Sequence, residues 1–367
     1  MKSINIVFFI SNLDSGGIEN YLLRYLKYQS HSFKEIYIYC KSGNGGELES
    51  EYLSIPNVHI VKNKIGYLNL KPLFKLIVFF KKNKIEAVCD FTGNFSGLVL
   101  MTAYVSCINK RIALYRSSSD RFKKNIMRAI YNKFLNRLVL KFATDILANS
   151  NAGLKYFFSN GFENDVRFEV IQNGVDSKDY ISETNTLRDM FDIPKSAFVV
   201  GHTGRFNEAK NHSTIIEVAN ILVKKYPDIY FILCGKGVCC NLQQNLKKMG
   251  ISDKVLVFEN RRDIPEFLNT MNCYFFPSLT EGQPNALIEA MICGIPYVAS
   301  DIDPIKETVF GSDNLFPPNN IEAYVKAITY IHSNYAGRDR ELQTKAIAKY
   351  DHKNAFSRFT SRIYQSL

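Results

Sequence analysis

Short apolar runs alternate with segments of helical periodicity along this chain, and no other feature limits its fold as much. In the first half INIVFFI, EIYIYC, VHIVK, AVCDF, RIALY and DILANS read as strands, with Glu19–Gln29 and Lys71–Lys82 among the helices between them. Strands joined through helices imply a parallel sheet with helices covering both faces. The second half repeats the scheme, with FVVGHTG, IYFILCG, KVLVF, CYFFPS and PYVAS as strands. At 367 residues the chain exceeds one ordinary core. The reading is therefore α/β, two parallel-sheet domains of one architecture without an obvious sequence repeat. Their boundary is expected just after NGVD (Asn173–Asp176), in the polar stretch Ser177–Thr186. That gives a first domain over 1–180, a second over 181–351 and a last helix over 352–367, which the sequence alone does not place.

The chemistry concentrates in PSLTEGQPNALIEAMICGIP, Pro277 to Pro296. The apolar run Tyr274–Phe276 ends a buried strand, Pro284 fits the first turn of a helix, and Gly294 with Pro296 stops it. Glu281 then lies in the loop over the helix N-terminus and Glu289 inside the helix. Free backbone N–H groups at a helix N-terminus suit phosphate, and nearby carboxylates can hold sugar hydroxyls. On spacing alone, a surface turn with one solvated glutamate and one on a helix face fits equally well. A second loop, Arg205 to Lys210, follows the strand FVVGHTG and precedes a helix carrying Ile215, Ile216 and Val218. Two cations flanking such a turn suit a pyrophosphate, or simply face water. Gly16 and Gly17 permit close backbone approach to a ligand, or form a plain turn, and the NGV at Asn173 to Val175 is read the same way.

GGIEN (Gly16–Asn20), IQNGVD (Ile171–Asp176), GHTGRFNEAKNH (Gly201–His212), FILCGKG (Phe231–Gly237) and the paired-glutamate segment occur in that order. Together they resemble glycosyltransferase family four, retaining nucleotide-sugar-dependent enzymes with two Rossmann-like domains facing a cleft (GT-B fold). The likeness is densest from Ile171 to Asp301. It implies that the last helix crosses back onto the first domain. It also implies that Arg205 and Lys210 bind the donor diphosphate, Glu281 faces the transferred sugar and Glu289 accepts from the nucleotide ribose. The backbone N–H groups of Asn285, Ala286 and Leu287 are expected to point at phosphate, with Gly204 and Arg261 also on the donor side. Gly16, Gly17, Asn173 and Arg116 fall on the acceptor side. Many relatives carry histidine in the segment corresponding to RIALYRSSSD; here Arg116 either replaces that group or faces solvent. His202 is expected to be structural, packed near the phosphate loop.

The resemblance implies a hexose-type transfer from a nucleotide diphosphate sugar to a glycan or lipid-linked glycan hydroxyl in cell-surface polysaccharide assembly. No cofactor or metal is expected, since DID at Asp301–Asp303 reads as an ordinary loop and cations with a helix dipole would serve instead. A nucleotide-sugar epimerase of the same architecture, or a non-catalytic membrane-bound assembly subunit, is the alternative.

Residues 1–180 hold 25 Lys and Arg against 15 Asp and Glu, whereas the rest holds 21 against 20. Nearly all of the net charge of +11 thus lies in the first half. Nucleic acid is disfavoured for want of a recognition motif, which leaves an anionic membrane or acceptor as the partner. Arg121 to Lys141 contains seven basic residues and no acid. Its stripe Ile126, Ile130, Phe134, Leu138 and Phe142 either covers the sheet or lies on a membrane surface. No apolar run spans a bilayer, the eight scattered cysteines show neither disulfide nor zinc spacing, and INIVFFI reads as a strand rather than a signal segment. The expected location is cytoplasmic, peripheral at the inner membrane face.

Overall fold

The computed structural model describes residues 3–66, 71–118, 126–158, 162–181 and 187–365. The chain divides into two compact units, Met1–Gly174 with His352–Leu367, and Val175–Asp351. The first crossing falls at Gly174–Val175, short of the expected stretch Ser177–Thr186.

The first unit holds β1 (Asn5–Ile10), β2 (Glu35–Cys40), β3 (Val58–Lys62), β4 (Ala87–Asp90), β5 (Lys110–Tyr115), β6 (Asp145–Ala148) and β7 (Phe168–Val170). They form one sheet in the order β3-β2-β1-β4-β5-β6-β7, all parallel. Side chains alternate across it: Ile6, Phe8 and Ile10 enter one core cluster, Val7 and Phe9 the other. A sheet covered on both faces needs apolar residues at consecutive positions, which is why these strands read as unbroken apolar runs.

The second unit holds β8 (Phe198–Thr203), β9 (Ile229–Cys234), β10 (Val255–Phe258), β11 (Cys273–Phe276), β12 (Tyr297–Ser300) and β13 (Leu315–Phe316). Their order is β10-β9-β8-β11-β12-β13, again all parallel. Tyr274 and Phe276 pack on one side, Cys273 and Phe275 on the other. The expected pair of parallel-sheet domains is thus present. Strands β7 and β13 were not anticipated; both are edge strands of three and two half-buried residues, too short for any periodicity to show.

Each sheet reverses its order once, between β1 and β4 and between β8 and β11. Crevices outside the carboxyl ends of the strands at such a reversal are where open α/β sheets bind ligands.

The last helix, His352–Tyr364, belongs to the first unit as expected. Phe356, Phe359 and Ile363 enter the same cluster as Phe8 and Tyr25, and the Tyr25 and Thr360 hydroxyls lie 2.9 Å apart. Lys110 donates to the Gln365 carbonyl at 2.9 Å, and Arg362 Nε meets Asp145 Oδ1 at 2.6 Å. Gly174 permits the return, since a Cβ there would sit 2.6 Å from His352 Cα.

Candidate active site

The loops after β8 and β11, adjacent strands at the reversal point of the second sheet, are joined by several contacts. Leu279 N–H donates to the Ala209 carbonyl at 2.8 Å. Asn211, left-handed at φ 54° and ψ 46°, donates from Nδ2 to the carbonyls of Pro277 (3.1 Å) and Pro318 (2.9 Å). Asparagine tolerates that conformation better than most residues, which suits it to the sharp turn before the His212–Lys225 helix.

This stitching brings two expected residues together. Lys210 Nζ lies 2.6 Å from Glu281 Oε1 and 4.6 Å from the centre of the Phe276 ring. The two side chains are 17% and 12% exposed. Phe276 was read only as part of an apolar run; its position at the carboxyl end of β11 makes it the platform for the lysine. Gly204 opens the same loop. Its N–H donates to the Cys234 carbonyl at 2.8 Å, and a Cβ on Gly235 would lie 2.1 Å from its carbonyl oxygen. Gly235 therefore lets the loops after β8 and β9 touch backbone to backbone. Glu259 steadies the second of these loops, accepting from the N–H groups of Gly237 (2.8 Å) and Cys239 (3.1 Å).

Arg205 sits exposed on this loop, with no side-chain hydrogen bond or ion pair among the described residues. Its lack of a fixed partner suits a ligand cation better than a structural one. Arg261 differs. It grips Asp263 through Nε (2.8 Å) and Nη2 (2.5 Å) and lies over the rings of Phe191 and Phe258.

The helix after Glu281 runs Asn285–Ile292. Pro284 is its N-cap rather than a residue of its first turn, and the Pro284 carbonyl accepts from the N–H groups of Leu287 and Ile288, both at 3.1 Å. Leu287 thus cannot offer its N–H to phosphate as expected, because the tight turn uses it. Ala286 N–H makes no hydrogen bond among the described residues. Glu289 is buried one turn into the helix, on the same face as Asn285. Gly294, at φ +67°, ends the helix: its N–H donates to Met291 and that of Ile295 to Ala290.

Two histidines lie in the floor. His202 is fully buried, with Nδ1 3.0 Å from the Phe275 carbonyl and Nε2 3.0 Å from where a Gly204 Cβ would stand. Burial, then the neighbouring His212 and Lys210 charges, holds it well below the ordinary histidine range. His212 is lowered to about 4 by burial and by Lys210. Both are therefore neutral at pH 7, and the structural reading of His202 fits its place under the loop.

In the first unit two of the residues expected on the acceptor side, Arg116 and Asn173, meet. Gly16 caps and Gly17 begins the Gly17–Gln29 helix, which carries Tyr21 one turn on. The Arg116 guanidinium lies 3.6 Å from the centre of the Tyr21 ring and donates to Asn173 Oδ1. The side chain is half-buried and held by these two contacts rather than lying free in solvent. Gly16 is extended, with φ −154°, so the glycine loop stores no left-handed turn.

Asp301 pairs with Lys306 and Asp303 opens a short helix. Of the basic segment, residues 121–125 lie outside the described residues. In the Ile126–Phe142 helix the stripe divides: Ile126, Ile130 and Phe134 point outward at 80%, 65% and 50% exposure, whereas Leu138 is half-buried and Phe142 packs against the core. Leu135 and Val139 are buried, so of the two expected roles the core one holds only for the end of the stripe nearest Phe142. Among the described residues no helix is long and apolar enough to cross a membrane.

Residues 183–349 match the family model of glycosyl transferases group 1. Capsular polysaccharide biosynthesis glycosyltransferase CapH of Staphylococcus aureus is 27% identical over 312 residues, 82% of each chain. UDP-Gal:alpha-D-GlcNAc-diphosphoundecaprenol alpha-1,3-galactosyltransferase of Escherichia coli is 25% identical over 75% of this chain and 72% of its own. The crystal structure of Anabaena HepE in complex with UDP and glucose superposes with a TM-score of 0.81 at 19% identity, covering 99% of this chain and all of that one. The chain is a glycosyltransferase of the GT-B fold, and its second unit carries the group 1 glycosyl transferase domain.

Proposed function

We propose that this enzyme transfers a hexose-type sugar, with retention of configuration, from a nucleotide diphosphate sugar to a hydroxyl of a lipid-linked glycan during cell-surface polysaccharide synthesis. The observation that carries the donor half is the sheltered Lys210–Glu281 pair at the reversal point of the second sheet, with exposed Arg205 on the same loop. In this reading the donor diphosphate draws Lys210 and Arg205, and Ala286 N–H adds a backbone donor. Glu281 is released toward the sugar, and buried Glu289 accepts from the ribose. Charge building on the departing diphosphate is met by cations already in place, so little reorganisation is needed as the glycosidic bond breaks. No metal takes part in this reading. Asn285 and Gly204 shape the phosphate cradle, and Arg261 borders it. On the acceptor side Gly16 and Gly17 let the acceptor approach the backbone, while Arg116 and Asn173 hold the floor.

The substrates named for the Escherichia coli relative and the UDP and glucose bound to Anabaena HepE support a uridine nucleotide as the first donor to try. The basic first half and the outward stripe Ile126, Ile130 and Phe134 support a peripheral place on an anionic membrane, on its cytoplasmic face.

The test is thermal stabilisation of the purified protein by UDP-, GDP-, ADP- and dTDP-sugars without added metal, followed by transfer to a lipid-linked acceptor with the responding donor. A ligand at one hundred times its Kd adds about 2.7 kcal/mol of stability. The reading expects one nucleotide class to respond and transfer to proceed in the presence of a chelator. Donor isomerised without any acceptor would overturn it in favour of an epimerase.

A further inference from the structure

The first sheet also reverses its order, and a cavity of about 340 Å³ opens there, within the first unit. Ser11 enters it just beyond β1, Lys41 beyond β2 and Thr92 beyond β4. None of Gly16, Gly17, Arg116 or Asn173 lines it. The volume is at the lower end of the range for small-molecule sites.

Its chemistry is unlike a sugar pocket. Lys41 Nζ spends its three N–H groups on Asp90 Oδ2 (3.0 Å), Thr92 Oγ1 (2.8 Å) and the Phe95 carbonyl (2.8 Å). The other Asp90 oxygen accepts from the Thr92 N–H (2.9 Å) and hydroxyl (2.6 Å), and the residue has no exposed surface. The one carboxylate at hand is thus closed to sugar hydroxyls. Much of the remaining wall is apolar, with Phe95, Leu98 and Leu135, while exposed Lys64 lines the cavity with no ion-pair partner among the described residues. An apolar wall with one open cation fits an apolar chain carrying an anionic group.

The wall also has an exit. Leu135 and Tyr131, one turn apart on the Ile126–Phe142 helix, both line the cavity. The next residue along that ridge is Met127, 78% exposed, beside the outward Ile126 and Ile130. An apolar ridge thus runs from the cavity to the exposed end of the helix.

We infer that this cavity binds the phosphate-bearing end of an isoprenoid-type lipid, its phosphate on Lys64 and its first apolar segment against Phe95, Leu98 and Leu135. This rests on the lipid-linked acceptor reading above and says where the lipid, rather than the sugar, is held.

The experiment titrates the full-length protein with farnesyl phosphate below its micelle concentration, and with farnesol and inorganic phosphate, by calorimetry. UDP is titrated into the same preparations. Farnesyl phosphate should bind at least about tenfold more tightly than either fragment, since each fragment lacks one half of the contact. Leu98→Trp, which fills the cavity, and Lys64→Glu should each weaken it about tenfold or more and leave UDP affinity unchanged. Tyr131→Glu, at a half-buried position, replaces Leu98→Trp if that variant fails to fold. Inorganic phosphate binding as tightly as farnesyl phosphate would reduce the site to an anion patch, and farnesol binding as tightly to a greasy cleft; both overturn the inference. Unchanged affinity in the cavity variants would move the lipid to the exposed helix face and overturn it too. A protein that binds UDP but not farnesyl phosphate removes this inference alone. One that binds farnesyl phosphate but no nucleotide sustains it and removes the donor reading.

Discussion

Replacing Lys210 with methionine keeps the length of the side chain and removes its charge. Lys210 Nζ stands 2.6 Å from Glu281 Oε1 and 4.6 Å from the centre of the Phe276 ring, with both ion-pair partners under one fifth exposed. A pair this sheltered behaves differently from a surface pair, because removing one partner strands the other away from water. Losing the lysine charge beside Glu281 should cost about 1–3 kcal/mol of stability, read by urea denaturation. The catalytic effect should be separate and of similar size. A charged donor aimed at the departing diphosphate contributes about 3 kcal/mol to the transition state, so kcat should fall by about 10² to 10³ while donor affinity changes far less. Nucleotide release under saturating donor measures the first, and nucleotide titration the second. Adding Glu281→Gln to Lys210→Met removes the carboxylate charge as well, so the double variant should regain stability without regaining turnover. If Lys210→Met loses stability as described but kcat stays within about threefold of wild type, under 1 kcal/mol of barrier, Lys210 is only a counter-ion for Glu281. The donor diphosphate would then have been placed wrongly.

Glu289→Ala should weaken donor binding about tenfold or more with a smaller change in kcat, because a buried carboxylate that accepts ribose hydroxyls acts in ground and transition states alike; isothermal titration with the responding nucleotide checks it. His212 supplies a pH test. Its protonation is lowered to about 4 in the fold against about 6.5 unfolded, so the unfolded chain takes up the proton first. Its contribution is complete above pH 6.5, declines as pH falls toward 4, and amounts to about 3 kcal/mol lost. Urea denaturation at pH 7 and pH 4.5 should therefore show a smaller acid loss in His212→Gln than in wild type, and equal losses would refute it. Ile130→Asp with Phe134→Asp, at exposed positions, should leave folding stability within about 0.5 kcal/mol yet abolish co-sedimentation with phosphatidylglycerol vesicles.

The sequence by itself determined the parallel sheets. Apolar residues at consecutive positions in INIVFFI or CYFFPS leave no face for water, and the helices between them prevent hairpins. It also marked Arg205, Lys210, Glu281 and Glu289 as candidates, because cations after one strand and carboxylates around a helix start suit a nucleotide sugar. What it could not supply was adjacency. Lys210 and Glu281 meet only because β8 and β11, separated in sequence by β9 and β10, are neighbours in the sheet. Whether Arg116 faced solvent was decided by the Tyr21 ring and Asn173, which approach from a different helix and a different loop. The Ile126–Phe142 helix makes the same point from the other side. Two apolar stripes fit its periodicity, and packing buried Leu135 and Val139, leaving Ile126, Ile130 and Phe134 in water. Periodicity is a property of one segment. Which face of it is covered, and which loops touch, depends on strand order, and strand order is set by contacts between residues far apart in the chain.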